Sequence, residues 1–301
     1  MMNLLHPNIA LVTTRRSTGR KFDNFLVSDT LVEYKAGTHD RNTQVFPLYL
    51  YTNKENAQYT FLDVSTSTDQ GTRRPNLGLE FISDIEDHLN LGFVTDGRGD
   101  LCQTFGPEDV LHYAYAVFHS PTYRTRYAEF LKIDFPRLPL TSDAGLFRAL
   151  VGLGADLVAL HLLEEKPPAG SEPAGGSAGS PLQRPITTFV ERETGATMGA
   201  FSKSKCYSPD DGRVYLDTSN RARSSYFEGV PEEVWQFQIG GYQVLYKWLY
   251  DRRGTKGEPG RTLTPEEIAH YQRVVVALRE TMRLMDEIDE TIDAHGGWPI
   301  E

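Results

Sequence analysis

The chain has 301 residues, 39% hydrophobic and 24% charged, with 31 basic and 41 acidic side chains and a formal charge of −10. That length allows about two domains with real cores. No apolar run reaches roughly 18 residues, so neither a transmembrane helix nor a membrane partner is expected. The start, "MMNLLHPNIALVTTRR", lacks the basic opening and cleavage pattern of a signal peptide. Cys102 and Cys206 form no C-x-x-C, which speaks against a disulfide framework or cysteine zinc site and suits a reducing cytoplasm.

In chain order, "NIALVTTR", "NFLVSDTLVEY" and "QVFPLYLYT" read as strands, with Pro47 favouring an edge or entry position. "TFLDVSTST" reads as a strand end. "GPEDVLHYAYAVFHS" reads as a helix with Pro107 in its first turn and Glu108 and Asp109 near its positive end. "DAGLFRALVGLGADLVALHLLE" places Leu146, Leu150, Leu153, Leu157 and Leu160 on one helical face, capped by Ser142 or Asp143. "KPPAGSEPAGGSAGSPLQRP", 166–185, offers nothing to bury and reads as a flexible linker.

Beyond it, "ITTFVERE" and "GRVYLDT" alternate like strands. "PEEVWQFQIGGYQVLYKWLYDRRG" reads as a turn and a helix ending near Gly254. "TPEEIAHYQRVVVALRETMRLMDEIDETI" is the strongest helix signal, with Thr264 as cap and Pro265 first. Its seam, Ile268, Tyr271, Val275, Leu278, Met282 and Met285, must dock on another surface. The expected class is α+β: strand-bearing lobes with packed helices and a long C-terminal helix. The expected division is 1–165 with two helices, a linker at 166–185, and a second lobe at 186–301.

No active site is evident. N-P-P-[YF], G-x-G-x-x-G before a helix, G-x-x-x-x-G-K-[ST] and H-E-x-x-H are all missing from the sequence, and no G-x-S-x-G elbow between a strand and a helix is expected. "DGRGD" at Asp96–Asp100 reads as a turn. His112 and His119 share a helix and read as packing residues. A minimal magnesium nuclease set exists in Glu33 and Lys35 with Asp23 or Asp29, but E-x-K recurs by chance, and Glu164–Lys166 is another. No metal site or resident cofactor is expected in the chain.

The acids are unevenly spread. Residues 80–110 hold eight acids and one base, and 258–301 hold ten acids and four bases, leaving the remainder at net +3. A nucleic-acid face would therefore be local, since the long-range field disfavours a polyanion. Four basic clusters are candidates: Arg15, Arg16, Arg20 and Lys21; Arg124, Arg126, Lys132 and Arg137; Lys203, Lys205, Arg213, Arg221 and Arg223 among Tyr207, Tyr215 and Tyr226; and Arg252, Arg253 and Lys256. Such donors on loops suit phosphate contact, and Arg, Asn or Gln reaching a groove suits base readout. Solvated loop charge is the plainer alternative. "DRRG" in particular reads as a helix C-terminus with Gly254 as cap.

"HYAYAVFHSPTYRTRYAEFLKIDFPRLPLT" followed by "LFRALVGLGADLVALHLLE" resembles the C-terminal specificity region of type ISP restriction–modification enzymes. "LVTTRR" and "FPLYLY" resemble the entry to that region, and "YFEGVPEEVWQFQIGGYQVLYKWLYDRRG" and "LTPEEIAHYQRVVVALRETMRLMDEID" its end. Those enzymes join nuclease, helicase-like ATPase, adenine methyltransferase and target-recognition domains in one chain. The resemblance implies a phage-defence role in reading a short duplex DNA sequence for DNA methylation. It also implies that S-adenosylmethionine, ATP and Mg²⁺ act in upstream domains, with an adenine methyltransferase domain or subunit as partner.

A detached specificity module is the expectation, as a split or truncated gene product; an interaction subunit or a gene remnant are the alternatives. In the family the Pro121–Thr141 stretch is a shared signature, so Tyr123, Tyr127, Phe130 and Phe135 are assigned to packing, while Arg124 and Arg126 either bind phosphate or hold the scaffold. The resemblance makes Arg15 and Arg16 phosphate candidates. Base readout is expected in 198–226, with Lys203, Lys205, Arg213, Arg221 and Arg223, and secondarily in 52–76, with Asn53, Lys54, Arg73, Arg74 and Asn76. Lys21 completes the DNA-binding set.

Overall fold

The computed structural model describes residues 2–16, 22–34, 36, 42–51, 73–164, 180–254 and 260–300. The expected strand end at "TFLDVSTST", most of the 166–185 linker, and Lys21, Lys35, Asn53 and Lys54 lie outside them. The chain divides into two units, Met1–Val158 with Met285–Glu301, and Ala159–Leu284. The fold is α+β, and a long C-terminal helix is present as expected.

The first unit begins with β1 (Ala10–Thr13), β2 (Leu26–Ser28) and β3 (Gln44–Pro47), an antiparallel sheet in the order β2-β1-β3. Alternation decides its faces: Ala10 and Val12 are buried, whereas Leu11, opposite Val27 and Phe46, is only partly so. "QVFPLYLYT" is two strands rather than one. Pro47 ends β3 on a sheet edge, and β4 (Tyr49–Tyr51) pairs with β5 (Arg73–Pro75) in another sheet. A proline cannot donate to a ladder, so the break falls there.

Helix α1 (Leu79–Leu89), which the sequence reading did not anticipate, carries much of the first acidic run and buries Ile82, Ile85 and Leu89. β6 (Gly92–Phe93) and β7 (Thr104–Phe105) pair in parallel around the "DGRGD" turn, and α2 (Pro107–His119) follows. Asp109 at its start is fully buried. Its carboxylate accepts from Arg98 Nε at 2.9 Å, the Gly99 amide at 2.6 Å and the Gly106 amide at 2.9 Å. Two short helices come next, α3 (Pro121–Arg126) and α4 (Ala128–Leu131), then α5 (Ala144–His161). Asp143 caps α5 as expected, accepting from the Gly145 and Leu146 amides.

Over its 18 residues α5 reaches a mean hydropathy of 1.4, enough by length and composition to cross a membrane, contrary to the expectation drawn from unbroken apolar runs. Leu146, Phe147, Leu150, Val151, Ala155 and Leu157 are buried along it, as in a core helix. Gly154 lets α5 approach α2 closely: a Cβ there would stand 1.9 Å from the His112 carbonyl oxygen.

The second unit is built on β8 (Thr188–Val190), β9 (Tyr207–Ser208), β10 (Arg213–Tyr215) and β11 (Tyr226–Glu228), antiparallel in the order β8-β11-β10-β9. Then come α6 (Glu232–Gln236), a hairpin of β12 (Gln238–Ile239) and β13 (Tyr242–Gln243), and α7 (Val244–Tyr250). The hairpin turns on Gly240 and Gly241, both at positive φ, where the expectation was a plain turn. Helix α8 (Pro265–Ala294) opens with a reciprocal box, the Thr264 amide to Glu267 at 3.1 Å and the Glu267 amide to Thr264 at 3.3 Å. Tyr271, Val275 and Leu278 from its seam join Val214, Phe227, Trp235, Leu245 and Leu249 in one core, with Ile268 and Met282 packed against it. At the other end of the expected linker, Ser180 caps a 3₁₀ turn, Pro181–Gln183, and Leu182 is buried.

His112 is buried beside Arg98, and its pKa falls to about 3, chiefly through burial and secondly through the Arg98 charge. The neutral ring is therefore the folded form. Its pKa is depressed relative to the unfolded chain, so its contribution is complete above about pH 6.5 and declines as pH falls below that. Between pH 6.5 and 5, where carboxylates stay ionised, urea midpoints of the wild type should fall, and those of His112→Leu should fall less.

Candidate nucleic-acid interface

The cations fall into classes according to what holds them. Some are paired with carboxylates. Arg15, just after β1, donates through Nε to Asp134 at 2.9 Å, with both side chains well exposed, at 63% and 45%. Arg73 lies 2.6 Å from Asp96 and 3.9 Å over the Tyr49 ring. Burial opposes its charge, but hydrogen bonds with Asp96 and Tyr51 prevail and its pKa rises. Arg213 makes two bonds to Glu228, at 2.9 and 2.7 Å, and reaches Asp211 at 3.3 Å. Those bonds raise its pKa, the Glu228 contact most. Arg223 pairs with Glu193. Exposed pairs of this kind contribute about 0–1 kcal/mol each, so a phosphate can compete for the guanidinium.

A second class is anchored to backbone carbonyls. Arg16 donates to Ile133 O at 3.1 Å, and Arg124 to Phe118 O at 2.7 Å. Arg221 donates to Lys205 O through Nε at 2.7 Å and also through Nη2, and reaches Tyr207 O at 3.3 Å. Two members were not anticipated. Arg148 donates twice to Leu101 O, at 3.1 and 2.7 Å, and Arg192 donates to Ala222 O at 2.9 Å. A carbonyl fixes a guanidinium without cancelling its charge. Arg252 and Arg253 return to Trp248 O and Tyr250 O at 2.8 and 2.6 Å, in keeping with the helix-end reading of "DRRG".

Arg124 differs from the others. Burial lowers its pKa to about 10, with Asp23 and Tyr115 opposing that shift. Desolvation and the Phe118 carbonyl hold it within the fold; Asp23, one of the acids considered for a nuclease set, stands near it. Among the described residues, no group of three or more His, Cys, Asp or Glu side chains could hold a metal ion.

Arg74, Arg126 and the Lys205 side chain take no hydrogen bond or ion pair among the described residues, and all three are exposed. Lys203 stands 5.5 Å over the Tyr246 ring. Asn76 donates to Pro47 O at 3.0 Å.

The Ser120–Thr141 stretch is an internally braced element. Tyr123 is buried, its hydroxyl donating to Arg137 O at 2.7 Å, and the Tyr113 hydroxyl donates to Pro139 O at 2.9 Å. Asp289, near the end of α8, accepts from the Thr122 amide at 2.9 Å, from its hydroxyl at 2.7 Å and from Ser120 Oγ. The first turn of α3 is thus capped from a residue distant in sequence, which no local pattern could reveal. Asp289→Ala should cost about 1–3 kcal/mol locally. Hydrogen exchange at the Thr122 amide should accelerate accordingly, while amides in α5 stay protected.

Residues 1–287 match the family model of the type ISP C-terminal specificity domain. No curated protein matches the chain. Three solved structures share its fold. The ATP-dependent type ISP restriction–modification enzyme LlaBIII, bound to DNA, matches 94% of this chain at 20% identity and a TM-score of 0.61. A DrdV–DNA complex matches 94% at 19% identity and 0.60. A nuclease-deletion mutant of the type ISP enzyme LlaGI, in complex with a DNA substrate mimic, matches 93% at 18% identity and 0.53. The matched parts are 16%, 25% and 21% of those chains, respectively.

Proposed function

Because this chain belongs to the type ISP C-terminal specificity domain family, we propose that it is a target-recognition module that reads a short sequence in duplex DNA. The observation that carries this reading is the family match across 1–287, and the DNA-bound state of structural neighbours that share its fold supports it. The module performs no chemistry itself. It works in the cytoplasm, as part of phage defence, with an adenine methyltransferase domain or subunit, clamping the duplex while that partner flips the target base. S-adenosylmethionine, ATP and Mg²⁺ belong to domains outside this chain.

Within this reading Arg15, Arg16, Lys21 and Arg126 supply backbone contacts. Arg73, Arg74, Lys203, Lys205, Arg213 and Arg223 are assigned to base edges or phosphates. The carbonyl anchor on Arg16 leaves its charge intact, whereas Arg15 must exchange Asp134 for phosphate. An interaction subunit is less favoured, because α8 residues Tyr271, Val275 and Leu278, the centre of the seam that suggested it, are already buried in the core of the second unit.

The test is enrichment from a random duplex library by the purified chain at moderate salt. A short asymmetric consensus is expected; a folded chain that enriches nothing overturns autonomous recognition. Arg15→Ala with Arg16→Ala should weaken binding to all duplexes alike and flatten the salt dependence by about one unit of slope per lost phosphate contact. A changed consensus in that double variant would reassign the pair to base readout.

A further inference from the structure

The face of the β8-β11-β10-β9 sheet opposite Val214 and Phe227 carries a stack that the sequence did not disclose, its two tyrosines buried beneath arginines. Tyr215 and Tyr226 are directly opposite in register, and their rings lie 5.4 Å apart. The neighbouring pair, Val214 and Phe227, points the other way and is fully buried in the core. On the tyrosine side, the Arg221 guanidinium lies 4.9 Å over Tyr215, and that of Arg192 lies 5.0 Å over Tyr226. Arg213 also lies over Tyr226, at 4.9 Å.

The partners separate these three arginines. Arg213 is matched by Glu228 and Asp211, and the nearby Glu193 is matched by Arg223. Asp217 accepts from the Ser219 amide and hydroxyl. Among the described residues, Arg192 and Arg221 have neutral anchors alone: Ala222 O and the Tyr226 hydroxyl for one, Lys205 O and Tyr207 O for the other. Both are held over rings, 5.0 and 4.9 Å from guanidinium carbon to ring centre, by bonds that bring no opposite charge. A guanidinium whose orientation is fixed beforehand loses less entropy when it meets an anion. Rings and carbonyls fix direction without neutralising it, as a contact to a repeating phosphate backbone requires. Base readout instead needs a side chain that reaches into a groove.

We propose that Arg192 and Arg221, stacked on Tyr226 and Tyr215, form a preorganised clamp for the phosphate backbone of duplex DNA on the second unit. This rests on the target-recognition reading above. It moves Arg221 from the base-reading set to the backbone set and adds Arg192, which lies outside the segment from which readers were expected.

The experiment compares the 301-residue wild type, Arg192→Ala/Arg221→Ala and Arg192→Lys/Arg221→Lys. Consensus enrichment, affinity for consensus and scrambled duplexes across a salt series, and thermal melting are read for each. The clamp predicts an unchanged consensus, an equal fold-loss for both duplexes in the alanine pair, and a salt slope smaller by about two. It predicts that the lysine pair recovers the slope but only part of the affinity, since lysine keeps the charge without the anchored guanidinium fork. Unchanged affinity and slope in a folded alanine pair, with the consensus retained, overturn the clamp alone. A consensus altered at one position overturns it in favour of base readout. A wild type that binds no duplex at low salt overturns the target-recognition reading itself.

Dicarbonyl labelling of arginines in the folded wild type gives an answer that does not depend on the variants folding. Duplex should protect Arg192 and Arg221, and labelling unaffected by saturating duplex overturns the clamp.

Discussion

A single carboxylate organises the first unit. Asp109 is fully buried and accepts bonds from Arg98, Gly99 and Gly106, so it fixes the "DGRGD" turn to the start of α2. A buried charge is tolerated only when it is paired and hydrogen-bonded, and here charge and geometry serve one another. With the turn fixed, Gly97 N can donate to the Tyr49 hydroxyl at 2.9 Å, and Tyr49 underlies Arg73. The position of a candidate DNA contact on β5 is therefore traceable to an acid on α2.

The acidic composition conceals this logic. Many acids of the two negative runs perform internal tasks. Asp100 accepts from the Cys102, Gln103 and Thr104 amides, bonds that lower its pKa to about 2. Glu86 accepts from Phe93 N, Glu267 closes the α8 box, and Asp289 caps α3. Counting such groups as a diffuse negative field overstates what a polyanion would meet. The relevant property is what stands against each cation, since a carboxylate offsets its charge locally whereas a carbonyl or a tyrosine ring brings no opposite charge.

The parts of the fold with a local cause were legible in the sequence. Thr264 and Glu267 stand at capping-box spacing, Asp143 precedes an apolar helix, Pro107 opens α2, and Arg252 and Arg253 close α7. Each needs only a few neighbouring residues. α1 was missed because its acids hid a short apolar stripe of Ile82, Ile85 and Leu89. The division at Pro47 was missed because alternation continues through it while the partner strand changes. The candidate site was legible as a set of residue types and clusters but not as geometry. Whether an arginine faces a carboxylate, a carbonyl or a ring depends on pairings such as Tyr215 with Tyr226, and Arg192 was overlooked because it stands alone in sequence.

The two-faced sheet of the second unit has a consequence for how such modules diversify. Val214 and Phe227 anchor one face in the core while Tyr215, Tyr226, Arg213 and Glu228 occupy the other. Adjacent positions along a strand thus serve separate purposes, and the period of two keeps them apart. The second set, in which Tyr215 and Tyr226 are themselves buried under arginines, can be exchanged as a packed unit while the Val214 and Phe227 set holds the backbone in register. Grafting another such unit onto the same Val214 and Phe227 face would then give a new surface on an unchanged frame.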